Sequence, residues 1–298
     1  MKPRLYSSAG ELKGFSVKNC ASMPSPTGIL MCPPDHFDVS EARNPYMGEK
    51  KGTVDRVRAL AQWTSVREAF EALGRPVETL EPVAGFEDMV FAANQTLTGL
   101  TPRMERVCFL SRMRHPSRQG EVPYFESWFK NKGYRIARVK DTAFSFEGMG
   151  DAAWHPGKRL LWGGHGFRTD PEVYEEIAKT FEIPVVMLKL VNERFYHLDT
   201  CFCPLTPEAV LIYPPAFDPD SLELILRLFP IVLAADEREA SSKMPCNATV
   251  IDSTAVMQKG AETAIRHMKA MGVSAMEVET DEFLKSGGSV FCLKMHLY

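Results

Sequence analysis

The chain has 298 residues, of which 45% are apolar and 24% charged, with a formal net charge of -3. That composition can bury a sizeable core and excludes a disordered chain. The slightly acidic balance excludes a sequence-independent polyanion binder, which needs clustered Lys and Arg to displace counterions, so no nucleic-acid partner is expected.

Short apolar runs bounded by Gly, Pro and Asp read as strands, and longer amphipathic stretches opening with Pro or Thr read as helices. In chain order, a strand over 28–32 is followed by a helix over 52–73, and strands over 90–93 and 107–110 precede a helix over 123–132. Strands over 135–139 and 159–162 precede a helix over 171–181, and strands over 185–190 and 209–213 precede one over 219–228. The pattern closes with strands over 231–234 and 248–251, a helix over 254–271, and strands over 276–278 and 289–295. The fold class is therefore α/β. No Gly/Ser-rich linker, low-complexity tract or charge shift divides the chain, which predicts one domain over 1–298.

Apolar stretches such as 184–191 and 222–235 are shorter, or more interrupted by charge, than the ~20 residues a membrane span needs. No membrane partner is expected. The cysteines at 20, 32, 108, 201, 203, 246 and 292 are odd in number and form no CxxC pair, and no secretory apolar segment opens the chain. They predict free thiols in a reducing cytoplasm.

Several constellations bear chemistry. Gly287 and Gly288 precede an apolar run containing Cys292, where the backbone can approach a ligand closely. Tyr196-His197-Leu198-Asp199-Thr200 follows an apolar strand, so His197 and Asp199 point to one side if the extended conformation continues. Phe146-Glu147-Gly148-Met149-Gly150-Asp151 sets two carboxylates around two glycines, a turn able to present acids to a cation. A second Gly-rich turn, Gly163 to Asp170, carries Arg168 and matches neither phosphate-loop nor dinucleotide fingerprints. Cys201 and Cys203 lie close to His197 and Asp199, but Cys-x-Cys is not a zinc-knuckle spacing, so no functional metal is expected. The basic run Arg103, Arg106, Arg112, Arg114 and Arg118 reads as a solvated face in the absence of other information.

Taken in order, these segments resemble the guanidino-group modifying, or amidinotransferase, superfamily. The resemblance starts at Met31-Cys32-Pro33-Pro34-Asp35-His36-Phe37-Asp38-Val39 and Asn44-Pro45-Tyr46-Met47. It continues through Phe86-Glu87-Asp88-Met89-Val90-Phe91-Ala92-Ala93-Asn94, the Glu147 turn, the Arg168 turn and His197-Leu198-Asp199-Thr200, and ends at Gly287-Gly288-Ser289-Val290-Phe291-Cys292. It implies a five-bladed pseudosymmetric α/β propeller, or pentein, as a single catalytic domain with its site where the blades meet.

The resemblance also assigns roles. Cys292 is the nucleophile, His197 the general acid and base, and Glu147 a carboxylate that holds the guanidinium, with Asp199 supporting the same hold. Asp88 and Phe91 give a polar contact and an aromatic ring to the guanidinium, and Arg168 and Arg114 bind a substrate carboxylate. The implied partner is a small guanidino compound, no cofactor is needed, and self-association is left open.

Position 94 carries Asn where deiminases and dimethylarginine hydrolases usually carry Asp. Asn resembles the dihydrolase pattern, in which arginine yields ornithine, ammonia and carbon dioxide. The expectation is an arginine dihydrolase, with arginine deiminase, dimethylarginine dimethylaminohydrolase, an amidinotransferase and a non-catalytic propeller as alternatives. Met149, where the family often has Gly, and Gln95-Thr96-Leu97 are further departures.

Overall fold

The computed structural model describes residues 3–298. Among these the strands fall into five sheets, and each sheet contains the same three-strand pattern. A first strand pairs antiparallel with a second, and the second pairs parallel with a third. The sets are Thr96–Leu100, Arg106–Leu110 and Arg135–Arg138; Ala152–Trp154, Leu161–His165 and Pro184–Lys189; Phe202–Pro204, Ala209–Ile212 and Ile231–Ala234; and Thr249–Ile251, Thr254–Gln258 and Ser274–Val278. The remaining set joins the two ends of the chain, with Met295–Leu297 beside Gly28–Met31 and Val77–Thr79. Arg4–Tyr6 adds a parallel edge to Pro184–Lys189.

A parallel pair needs a crossover, and a helix supplies it in every set: Arg56–Ala72, Val122–Asn131, Val173–Phe181, Pro219–Leu228 and Glu262–Ala270. Local sequence explains their limits. Asp218 accepts from the Ser221 N–H ahead of Pro219, and Ser221, Leu224, Ile225 and Leu228 form the buried stripe. Asp55 caps Arg56–Ala72 through the Arg58 N–H. The core lies between these helices and the sheets, with Trp162, Tyr174, Phe109, Phe125 and Phe181 among its fully buried side chains.

Three expectations are corrected. Residues 90–93 end a 3-10 turn, Glu87–Val90, instead of forming a strand. The helix expected over 254–271 splits into the strand Thr254–Gln258 and the helix Glu262–Ala270. The stretch 289–295 is a set of turns that becomes a strand only at Met295–Leu297, because Leu293 N–H bonds Ser289 C=O and Lys294 N–H bonds Phe291 C=O. No helix among the described residues is long and apolar enough to cross a membrane.

Candidate active site

The repeated pattern places chemistry at one point of each set, in the few residues before its first strand. Asp88, Phe91 and Asn94 precede Thr96–Leu100, Glu147 precedes Ala152–Trp154, and His197 and Asp199 precede Phe202–Pro204. Asn247 precedes Thr249–Ile251, and Cys292 precedes Met295–Leu297. Five segments remote in sequence thereby converge.

A cleft of about 340 Å³ opens there, lined by Asp88, Phe91, Asn94, Arg168, His197 and Cys292 together with Arg43, Asn44, Arg118, Tyr196 and the Ser286–Gly288 backbone. Gly288 is required by close approach, since a Cβ there would lie 2.5 Å from the Phe91 ring. Gly150 is required likewise: its Cβ would lie 2.4 Å from Asn94 Nδ2 and 3.2 Å from His197 Nδ1.

Cys292 is buried, and its sulfur donates to Asp199 Oδ2 at 3.1 Å and accepts from Asn247 Nδ2 at 3.1 Å. Burial, and then the Asp199 charge, push the thiol well above its ordinary range. Burial raises the Asp199 carboxyl to about 7. The resting sulfur is a thiol.

His197 Nε2 is 2.7 Å from Glu147 Oε2, and Arg168 Nη1 donates to the same oxygen at 3.2 Å. The Arg114 N–H donates to Glu147 Oε1 at 3.0 Å. Burial penalises the Glu147 charge, but Arg168 and His197 outweigh it and hold the carboxyl well below the usual range. Glu147 therefore faces His197 and Arg168, behind the cleft wall. Asp199 likewise sits behind Cys292. His197 and Asp199 do not alternate along a strand, because Leu198–Thr200 is a 3-10 turn fixed by Asp151, whose Oδ1 accepts from Leu198 N–H.

Arg118 is buried, chelated by Glu121 through Nε and Nη2, and its Nη1 donates to Asn94 Oδ1 at 2.9 Å. Gln95 braces Glu121 at 2.6 Å, which accounts for that departure from the family pattern. Met149 packs into the core and leaves the turn intact. Arg43 bonds Asp88 Oδ2 at 2.9 Å. Arg168 reaches the cleft with its guanidinium 4.5 Å over the Tyr196 ring. Arg114 does not line the cleft; it pairs with Asp170 at 2.8 Å.

No family model matches the chain. It is 37% identical over 270 residues to the bifunctional arginine dihydrolase/ornithine cyclodeaminase ArgZ of Synechocystis sp., covering 90% of this chain and 37% of that protein. The chain thus spans just over a third of that relative's length. It is 34% identical to the N(G),N(G)-dimethylarginine dimethylaminohydrolase of Mycobacterium tuberculosis, covering 92% of this chain and 87% of the relative. The crystal structure of an ArgZ N-terminal domain covalently bound to a reaction intermediate superposes with a TM-score of 0.85 at 37% identity, covering 91% of this chain and 97% of that one.

The chain belongs to the amidinotransferase superfamily.

Within an amidinotransferase-superfamily site, the buried polar atoms without a protein partner among the described residues include Asp88 Oδ1, Asn94 Nδ2 and Ser286 Oγ of residues that line the cleft, and Asp199 Oδ1 of the residue behind Cys292. Such atoms are costly unless a ligand satisfies them. Asp88 Oδ1 is an acceptor suited to a guanidinium, and Asn94 Nδ2 is a donor. Sequence reasoning missed Arg43, Tyr196 and Asn247. Only the repeated position ahead of a first strand marks Asn247, and that repeat has no clear period in the sequence.

Proposed function

We propose that this chain hydrolyses L-arginine twice, as an arginine dihydrolase giving ornithine, two ammonia and carbon dioxide. The Asn94 amide carries the reading. Arg118 has only donors, so it fixes the Asn94 oxygen toward itself and leaves Nδ2 as the free end. A guanidinium offers nothing for that N–H to bond, whereas the carbonyl oxygen of a ureido group does. The site is built to retain the first product.

Arg168 binds the substrate carboxylate and Phe91 faces the guanidinium. Asp88, which lines the cleft, accepts from its nitrogens, while Asp199 acts from behind the sulfur. As the cation binds, Cys292 releases its proton to solvent, and the thiolate forms a C–S bond to the guanidinium carbon. His197, oriented by Glu147, is the acid that gives a proton to a terminal nitrogen; that C–N bond breaks, ammonia leaves and an S-alkylthiouronium remains. Neutral His197 takes a proton from water as the C–O bond forms; the C–S bond then breaks, a second proton passes to solvent and a ureido group results. A second attack expels the other terminal nitrogen as ammonia and leaves a thiocarbamate. Its hydrolysis gives a carbamate that loses carbon dioxide. The sum is arginine and two waters to ornithine, two ammonia and carbon dioxide.

The five like sheets, each bringing site residues ahead of its first strand, support a five-bladed pseudosymmetric α/β propeller acting as one catalytic domain over 1–298.

The test is amino-acid analysis with ammonia quantification after incubation with L-arginine, with Cys292→Ser as control. Ornithine with two ammonia per arginine is expected. Citrulline with one makes the chain a deiminase, product only with an added amine acceptor makes it a transferase, and unchanged turnover in Cys292→Ser removes the nucleophile assignment.

A further inference from the structure

Lys294 follows Cys292 by two residues and its side chain is wholly buried. Its Nζ bonds to no protein atom among the described residues and lies 3.2 Å from the centroid of the Phe291 ring. An ammonium out of water persists only where opposite charge or a π face opposes the desolvation. Asp199 supplies that charge: one of its carboxylate oxygens accepts a hydrogen bond from the Cys292 thiol, and the other, Oδ1, is itself without a protein partner. Two orphaned buried atoms, an amine nitrogen and a carboxylate oxygen, thus belong to residues adjoining Cys292, Lys294 two positions on in the chain and Asp199 across a hydrogen bond.

We propose that Lys294 is a positioning residue for the nucleophile: its buried ammonium balances the Asp199 carboxylate and so permits Cys292 to give up its proton. Without it, a thiolate would lie 3.1 Å from an uncompensated buried carboxylate, and two adjacent buried negative charges disfavour each other strongly. The groups whose charges act on Lys294 are Asp199, Cys292 and Cys203, and Lys294 and Arg75 in turn act on His296. Burial drives the Lys294 amine down and the Asp199 carboxyl up, each to about 7, and each charge opposes the shift of the other.

The inference rests on Cys292 being the nucleophile, and its test reads the thiol without turnover. The rate of Cys292 alkylation by iodoacetamide, located by peptide mass spectrometry, is followed against pH in the wild type, Lys294→Met and Asp199→Asn/Lys294→Met. Lys294→Met is expected to move the midpoint up by about one pH unit, slowing alkylation at pH 7 about tenfold, and the double variant to reverse most of that shift. A folded Lys294→Met with the wild-type profile overturns the proposal, as does a shift undiminished in the double variant. Should Lys294→Met not fold, NMR of the 15N-lysine-labelled wild type reads Lys294 directly: an ammonium at pH 7 is expected, and a neutral amine overturns the proposal. An inactive protein whose alkylation follows the expected pattern removes the dihydrolase reading and leaves this one standing.

Discussion

Asn247 grips Cys292 at both the backbone and the sulfur: its Oδ1 accepts from the Cys292 N–H at 3.2 Å while its Nδ2 donates to the sulfur at 3.1 Å. The same Oδ1 accepts from the Ser289 N–H at 2.9 Å, so one amide fixes the whole turn that carries Cys292. Asn247→Ala leaves two buried N–H groups without an acceptor, at ~1–3 kcal/mol each. It is expected to lower the melting temperature by several degrees and kcat by about 10²-fold with little change in KM, since displacement of a reacting atom by ~1 Å has that effect. Calorimetry and steady-state kinetics check both.

Asn94→Asp replaces the free donor with an acceptor and sets a carboxylate against Arg118. The ureido intermediate then has nothing to hold it, and citrulline is expected to accumulate at the expense of ornithine. The citrulline-to-ornithine ratio from chromatography of a single time course reads the outcome, and an unchanged ratio removes Asn94 as the determinant.

The two arginines expected to bind the substrate carboxylate should behave differently. Arg168 lines the cleft, whereas half-exposed Arg114 is paired with Asp170 outside it. Arg168→Lys loses the planar fork suited to a carboxylate and should raise KM about tenfold. Arg114→Ala breaks a surface pair of small energy and should leave KM within about twofold.

Burial raises Asp151 to about 6, against ~3.9 for an unfolded Asp. Between about pH 4 and 6 the folded state therefore holds a proton that the unfolded state has released, and stability falls as pH rises through that window. Asp151→Asn removes this term. Relative to the variant, the wild type should lose up to roughly 3 kcal/mol on going from pH 4 to 7, at ~1.4 kcal/mol per pKa unit, read from urea unfolding at the two pH values. Glu147 has the opposite sign: its depressed pKa stabilises above about pH 4 and that contribution is lost on further acidification.

Much of the fold was legible locally. The helix Pro219–Leu228 matched its expected limits because Asp218, Pro219 and the stripe at 221, 224, 225 and 228 all act within a few residues. Residues 254–258 were misread as helix, since a buried five-residue strand has no periodicity of its own to set it apart from the amphipathic run that follows. The short strands Val77–Thr79, Ala152–Trp154 and Phe202–Pro204 escaped notice for the same reason: three residues acquire extended structure only from the neighbour they pair with.

The sequence by itself determined the α/β class and the ordered motifs of the amidinotransferase superfamily, among them the stretches that hold Glu147, His197 and Cys292, because these depend on composition and on residues at fixed places in the chain. Tertiary structure decided what those residues touch. It turned Glu147 from the cleft toward His197, set Asp199 behind the sulfur, took Arg114 out of the cleft and brought in Asn247 and Arg43. Those outcomes depend on which side chains meet when five distant segments are drawn to one point by strand pairing and core burial, and no local window of the sequence contains more than one of them.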